Sequence, residues 1–276
     1  MILSEKQIEK INKRIRNYFH LSSSVKLKWQ KMEKGLSNTK FLIESKDNSP
    51  IAVCKIYEKD QAIPAEKRLQ NEKRALELFG GKIAPKLIWT DNSKILCYNY
   101  IIGKEITNLT NEERKNIEEE LRKTIDFIHG YTNKKIKKAK KQFSKLQSFY
   151  FRVFDNYEKM NLNVPEYMSA KIPKLENKLK NLYENLQIEG LKVSYIHGDL
   201  VPLNIIVNGN QVSLIDFEYF RMDISIFDDL YFNYFSDKHQ LNIELPIIGA
   251  NKEMQEVYEE LIQLLNNYWL LSKKLK

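Results

Sequence analysis

Glycine and proline are both scarce, with 9 and 7 residues among 276, which excludes collagen-like, glycine-linker and proline-rich architectures. Cysteine is scarcer still. Cys54 and Cys97 stand far apart without CxxC spacing, so neither a disulfide scaffold nor a zinc ribbon is expected. No run approaches the roughly 18 consecutive apolar residues of a membrane-spanning helix. The opening residues turn charged at Glu5, leaving no apolar signal core, and a cytoplasmic location is the expectation. Dense arginine clusters are missing too. The net charge of +9, from 45 Lys plus Arg against 36 Asp plus Glu, is mostly lysine, which reads bases poorly beside the arginine fork, so no nucleic-acid partner is expected. The densest run, six lysines within residues 134–141, reads as an exposed helix face or loop. What remains is an ordinary globular mixture, 42% hydrophobic and 29% charged, long enough for one large domain or two small ones.

Periodicity divides the chain into a sheet-rich front and a helical back. Ile8, Ile11 and Ile15 lie at helical spacing over residues 5–19. Alternating segments follow at 26–32, 40–44 and 51–57, separated by turn-forming Gly35–Asn38 and Asp47–Pro50, as in an antiparallel meander. Residues 64–79 read as a helix closed by Gly80-Gly81, and two short apolar runs, 86–89 and 94–102, lead to Gly103. Beyond it, 110–130 and roughly 134–188 show helical spacing. A β-rich island at 193–217 interrupts the helices, which resume at 224–236 and 252–275.

The strongest chemical signal is Tyr195-Ile196-His197-Gly198-Asp199-Leu200-Val201-Pro202-Leu203-Asn204, which carries H-x-D-x-x-x-x-N. That is the spacing of a kinase catalytic loop, in which the aspartate accepts a hydroxyl proton and the asparagine holds magnesium. Asp216 follows within Ile215-Asp216-Phe217-Glu218-Tyr219, after two β-forming runs joined by Asn208-Gly209-Asn210, a hairpin signal. Such a hairpin brings Asn204 and Asp216 to one end. An amide oxygen and a carboxylate there suit Mg²⁺, which completes its shell with phosphate oxygens.

This segment resembles the catalytic motif of the aminoglycoside phosphotransferase/choline kinase superfamily, and the Ile-Asp-Phe-Glu-Tyr form is similar to choline, ethanolamine and thiamine kinases. The resemblance implies an α+β, bilobal protein-kinase-like fold: a small antiparallel-sheet N-lobe over 1–98, and a hinge with a larger, mainly helical C-lobe over 99–276. It implies ATP and Mg²⁺ as cofactors and assigns roles in chain order. Gly35-Leu36-Ser37-Asn38 resembles a phosphate-covering loop, which makes Ser37 and Asn38 nucleotide-binding, although only one glycine is present. Lys55 in Ala52-Val53-Cys54-Lys55 resembles the strand lysine that pairs the phosphates, and Glu72 is its helical partner, with Glu66 the weaker candidate. The backbone of Asn99 to Ile101 is placed to meet adenine. Asp199 is the catalytic base, Asn204 and Asp216 are the metal ligands, and His197 and His129 organise structure rather than transfer protons.

Composition suggests the acceptor. Residues 216–237 hold six carboxylates against the single basic residue Arg221, together with eight aromatics, in a chain that is 11% aromatic. Acidic groups beside aromatic faces favour a cation, so a small hydroxyl-bearing cationic substrate such as choline, ethanolamine or thiamine is expected. Glu218, Tyr219, Asp228, Tyr231 and Trp269 are its candidate pocket residues; the same aromatics can equally build a helical core. An aminoglycoside phosphotransferase and a non-catalytic nucleotide-binding module are the alternatives.

Overall fold

A computed structural model describes residues 3–33, 38–45, 47–58, 62–131, 139–160, 162–189 and 193–274. Gly35, Ser37 and Lys134–Lys138 lie outside the described residues, as do the side chains of Lys140 and Lys141. The chain forms two compact units, one of residues 1–102 with 213–218, the other of 103–212 with 219–276.

In the first unit, α1 (Glu5–Tyr18) starts at a capping box in which Ser4 and Gln7 satisfy each other's backbone N–H groups. The sheet comprises β1 (Lys28–Met32), β2 (Asn38–Glu44) and β3 (Pro50–Tyr57), then, beyond α2 (Ala65–Phe79), β4 (Leu87–Thr90) and β5 (Ile95–Asn99). Every neighbouring pair is antiparallel, in the order β1-β2-β3-β5-β4. Strand alternation gives β3 two different faces. Ala52, Cys54 and Ile56 join Ile11 and Ile15 of α1 in an apolar cluster with Ile43, Ile95 and Cys97. Lys55 and Tyr57 instead reach Glu72 of α2.

The second unit runs β6 (Lys104–Glu105), α3 (Asn111–His129), α4 (Ala139–Glu158), α5 (Glu166–Ser169), α6 (Lys171–Glu189), β7 (Val193–Ile196), β8 (Ile205–Asn208), β9 (Gln211–Leu214), β10 (Arg221–Ile224), α7 (Ile226–Lys238) and α8 (Lys252–Lys273). Buried Tyr150 and Phe154 of α4, Leu175, Leu179 and Leu182 of α6, and Tyr258, Leu261 and Tyr268 of α8 form its helical core. β6, β8 and β9 share one small sheet, while β7 pairs antiparallel with β10.

Three features differ from the sequence expectation. The long helical stretch is broken into α4, α5 and α6, with Pro165 capping the short α5. A strand, β10, lies inside the acidic aromatic segment, held by its pairing with β7 rather than by local pattern. Ser213–Glu218 returns to the first unit, which otherwise ends at Ile102. There Leu214 N–H donates to the Ile83 carbonyl and Phe217 packs 6.5 Å from Phe79.

Candidate active site

In the first unit the register pairs Asn38 with Tyr57 and Lys40 with Lys55, which puts all four side chains on the α2-facing side of the sheet. Lys55 is fully buried, and its Nζ lies 2.6 Å from Glu72 Oε2 and 3.4 Å from Glu218 Oε2. It also donates to Asp216 Oδ1, and the Tyr57 hydroxyl donates to Glu72. Burial alone would pull the Lys55 ammonium down, but Asp216, Glu218 and Glu72 hold it well above the usual lysine value. Glu66, the weaker candidate for its partner, is exposed.

Two residues that sequence reading passed over complete this cluster. Lys40 Nζ donates to Asp216 Oδ2 at 2.7 Å. Arg68, fully buried, donates to Glu218 Oε2 at 2.9 Å, to Asn38 Oδ1 at 2.7 Å and to the carbonyls of Glu58 and Ile63. Asp216 adopts φ 66°, a left-handed conformation that aspartate tolerates better than most residues. Burial would raise its pKa, yet Lys40 and Lys55 together hold the carboxyl well below the usual range.

The second unit holds the His197–Asn204 loop. β7 delivers His197, Gly198 and Asp199, and a 3-10 turn at Pro202–Asn204 leads into β8. Gly198 has φ 80°, and a Cβ there would collide with the Tyr219 carbonyl oxygen and the Arg221 guanidinium. Asp228, at the start of α7, braces the loop: Oδ2 accepts from His197 N–H at 2.7 Å and Oδ1 from Gly198 N–H at 2.9 Å. His129 Nε2 lies 3.2 Å from the same Oδ2. His197 Nδ1 accepts from Asp199 N–H at 3.3 Å, which puts the proton of a neutral ring on Nε2. Asn204 Nδ2 donates to Asp199 O at 2.9 Å and Oδ2 at 3.2 Å, leaving its amide oxygen as the end suited to a cation. Tyr231 donates to Asp199 Oδ1 at 3.2 Å.

Of the remaining expected residues, Asn38 has its amide committed, with Nδ2 donating to Glu218 at 2.6 Å and Oδ1 accepting from Arg68. At the end of β5, Asn99 closes on Lys86 and Tyr100 N–H donates to Ile51 O. Tyr219 is half-buried, its carbonyl accepting from Arg221 at 3.2 Å. Trp269, also half-buried, lies under the Lys273 ammonium at 5.1 Å, next to the core residue Tyr268.

The acidic segment needs correction. Five of its six carboxylates are engaged by groups of the chain itself: Asp216 by two lysines, Glu218 by Arg68, Asp223 by Arg221, Asp228 by loop N–H groups and the His129 ring, and Asp229 by Arg122. Glu218, expected to line an acceptor pocket, is 3% exposed and belongs to the cluster around Lys55 and Arg68 instead; Asp228, 1% exposed, steadies the His197–Gly198 loop, the alternative role that its place in the resembled motif implies. Arg221 sits among aromatics, 4.6 Å from the Phe227 ring and 4.8 Å from that of Phe149, so a resident cation already occupies that cage. Of the pocket residues expected, Tyr231 is the one placed at Asp199. It stacks 5.4 Å from Phe227 and lies 4.9 Å from Phe235, an aromatic ladder along α7.

A family model described as choline/ethanolamine kinase matches residues 29–276. No curated protein matches the sequence directly. Among solved structures, a choline kinase from Cryptosporidium parvum is similar at a TM-score of 0.64 and 14% identity, over 97% of this chain and 89% of that one. The choline kinase LicA from Streptococcus pneumoniae is similar at 0.59 and 18% identity, over 96% and 90%. An aminoglycoside phosphotransferase solved with streptomycin and ATP is similar at 0.56 and 16% identity, over 98% and 90%. At these identities the structures share a fold, the protein-kinase-like one.

Proposed function

The chain belongs to the choline/ethanolamine kinase family of phosphotransferases acting on an alcohol group, and on that premise we propose that it transfers the γ-phosphoryl group of Mg²⁺-bound ATP to the hydroxyl of a small cationic alcohol of the choline, ethanolamine or thiamine type. The observation that carries this reading is the setting of Asp199, with Asn204 on one carboxylate oxygen and Tyr231 on the other. A carboxylate so oriented accepts the proton of an incoming hydroxyl. The Tyr231 ring beside Asp199 supports a cationic acceptor, since aromatic rings attract ammonium groups without a full negative charge.

Lys55, braced by Glu72, positions phosphates, and among Asn99 to Ile101 the peptide groups of Ile101 are the ones assigned to adenine. Asp216 offers a carboxylate oxygen and Asn204 an amide oxygen to Mg²⁺, hard donors that match the ion. The ion supplies charge neutralisation of the transferring phosphoryl group.

Asp199→Asn decides the matter, assayed by ADP release with Mg-ATP and a panel of choline, ethanolamine, thiamine, aminoglycosides and sugars. Wild type should phosphorylate an amino alcohol, and the variant should lose turnover by a factor of about 10³ or more while still binding ATP. Turnover of aminoglycosides alone would replace the acceptor assignment. Near-normal turnover by Asp199→Asn would overturn the role given to that residue.

A further inference from the structure

Across β2 and β3, Lys40 and Lys55 stand directly opposite each other. Like charges at such a position repel, so an anion must lie between them. Here it is Asp216, with Oδ2 on Lys40 at 2.7 Å and Oδ1 on Lys55. The rest of the cluster is already matched, Glu72 with Lys55 and Glu218 with Arg68. Lys40 is therefore the counter-ion that Asp216 requires. It differs from Lys55 in access, since the Lys40 and Asp216 side chains are 16% and 13% exposed whereas Lys55 is sealed.

Resting on the kinase reading above, we propose that Lys40 is a second phosphate-positioning residue. Without nucleotide its ammonium clasps Asp216. When a nucleotide arrives with a divalent cation, the cation takes the carboxylate and the ammonium passes to a phosphate oxygen. A divalent ion added to Asp216 without phosphates would meet two ammonium groups and be repelled. With phosphates present, the same ammonium groups have anions to meet. Lys40 thereby couples metal binding to nucleotide binding: it hinders the metal alone and favours the pair.

That coupling predicts opposite signs in two binding measurements on the full chain. Calorimetry should show Lys40→Met weakening Mg-ATP about tenfold or more while adenosine, which lacks phosphates, binds as to wild type. Lys40→Arg should recover most of the loss. In the absence of nucleotide, Mn²⁺ followed by electron paramagnetic resonance should bind Lys40→Met more tightly than wild type, because Asp216 is released. Lys40→Gln provides a second neutral variant should Lys40→Met fail to fold. Unchanged Mg-ATP affinity in the neutral variants, or an equal loss for ATP and adenosine, overturns the role of Lys40 alone. Wild type that binds no nucleotide overturns the kinase reading and this inference together.

Discussion

The Tyr231 hydroxyl donates to Oδ1 of Asp199 at 3.2 Å, so a residue of α7 sets the orientation of the loop carboxylate from the side opposite Asn204. Tyr231→Phe removes that one bond and keeps the ring in its stack with Phe227 and Phe235. The loss of a single orienting bond should lower kcat by about 3- to 30-fold with little change in KM for ATP. Steady-state kinetics with varied ATP and acceptor separate the two parameters. A fall confined to ATP affinity would show that Tyr231 does not act through Asp199.

Lys55 is a sealed cation, with Glu72, Asp216 and Glu218 within ion-pair distance. Lys55→Met leaves buried carboxylates short of a partner and should destabilise the fold by about 3–5 kcal/mol. Adding Glu72→Gln removes one of the stranded charges. The double variant should therefore be more stable than additivity of the two single variants predicts, by about 1–3 kcal/mol. Urea unfolding of all four proteins measures the coupling, and additive losses would contradict the pairing.

Lys55 and Glu72 were readable because each sits in a short stretch that carries its signal locally, Ala52-Val53-Cys54-Lys55 and the helix around Glu72 resembling the family's strand-lysine and helix-glutamate motifs. The same holds for α1 and α3, whose starts carry capping boxes at Ser4 and Thr110. Lys40 and Arg68 had no such signal. Each looks like a solvated charge in its own segment, and the partners that bury them, Asp216 and Glu218, come 176 and 150 residues later. The acidic segment misled for the same reason. Its charge is a local sum, while Arg68, Arg122, Lys40 and Lys55, which cancel most of it, are supplied by distant strands and helices. Local composition reports which charges a segment carries, and only the fold decides what faces them.

Asp229 shows what that pairing does to stability with pH. It is 2% exposed on α7, its Oδ1 accepting from Arg122 at 3.0 Å. Burial pushes its pKa up to about 6, Arg122 and His129 oppose the rise, and neighbouring Asp228 adds to it. An unfolded aspartate titrates near 3.9, so between about pH 4 and pH 6 the native state holds the extra proton. Stability contributed by this group is thus present at low pH and is lost as pH rises through 6, by roughly 2–3 kcal/mol. Asp229→Asn removes the titration and keeps the shape. Its stability relative to wild type should therefore improve by that amount between pH 4 and pH 7.5, whatever fixed cost the loss of the Arg122 ion pair adds at both. Urea midpoints at the two pH values decide it, and a difference that does not change with pH would show that Asp229 is ionised across the whole range.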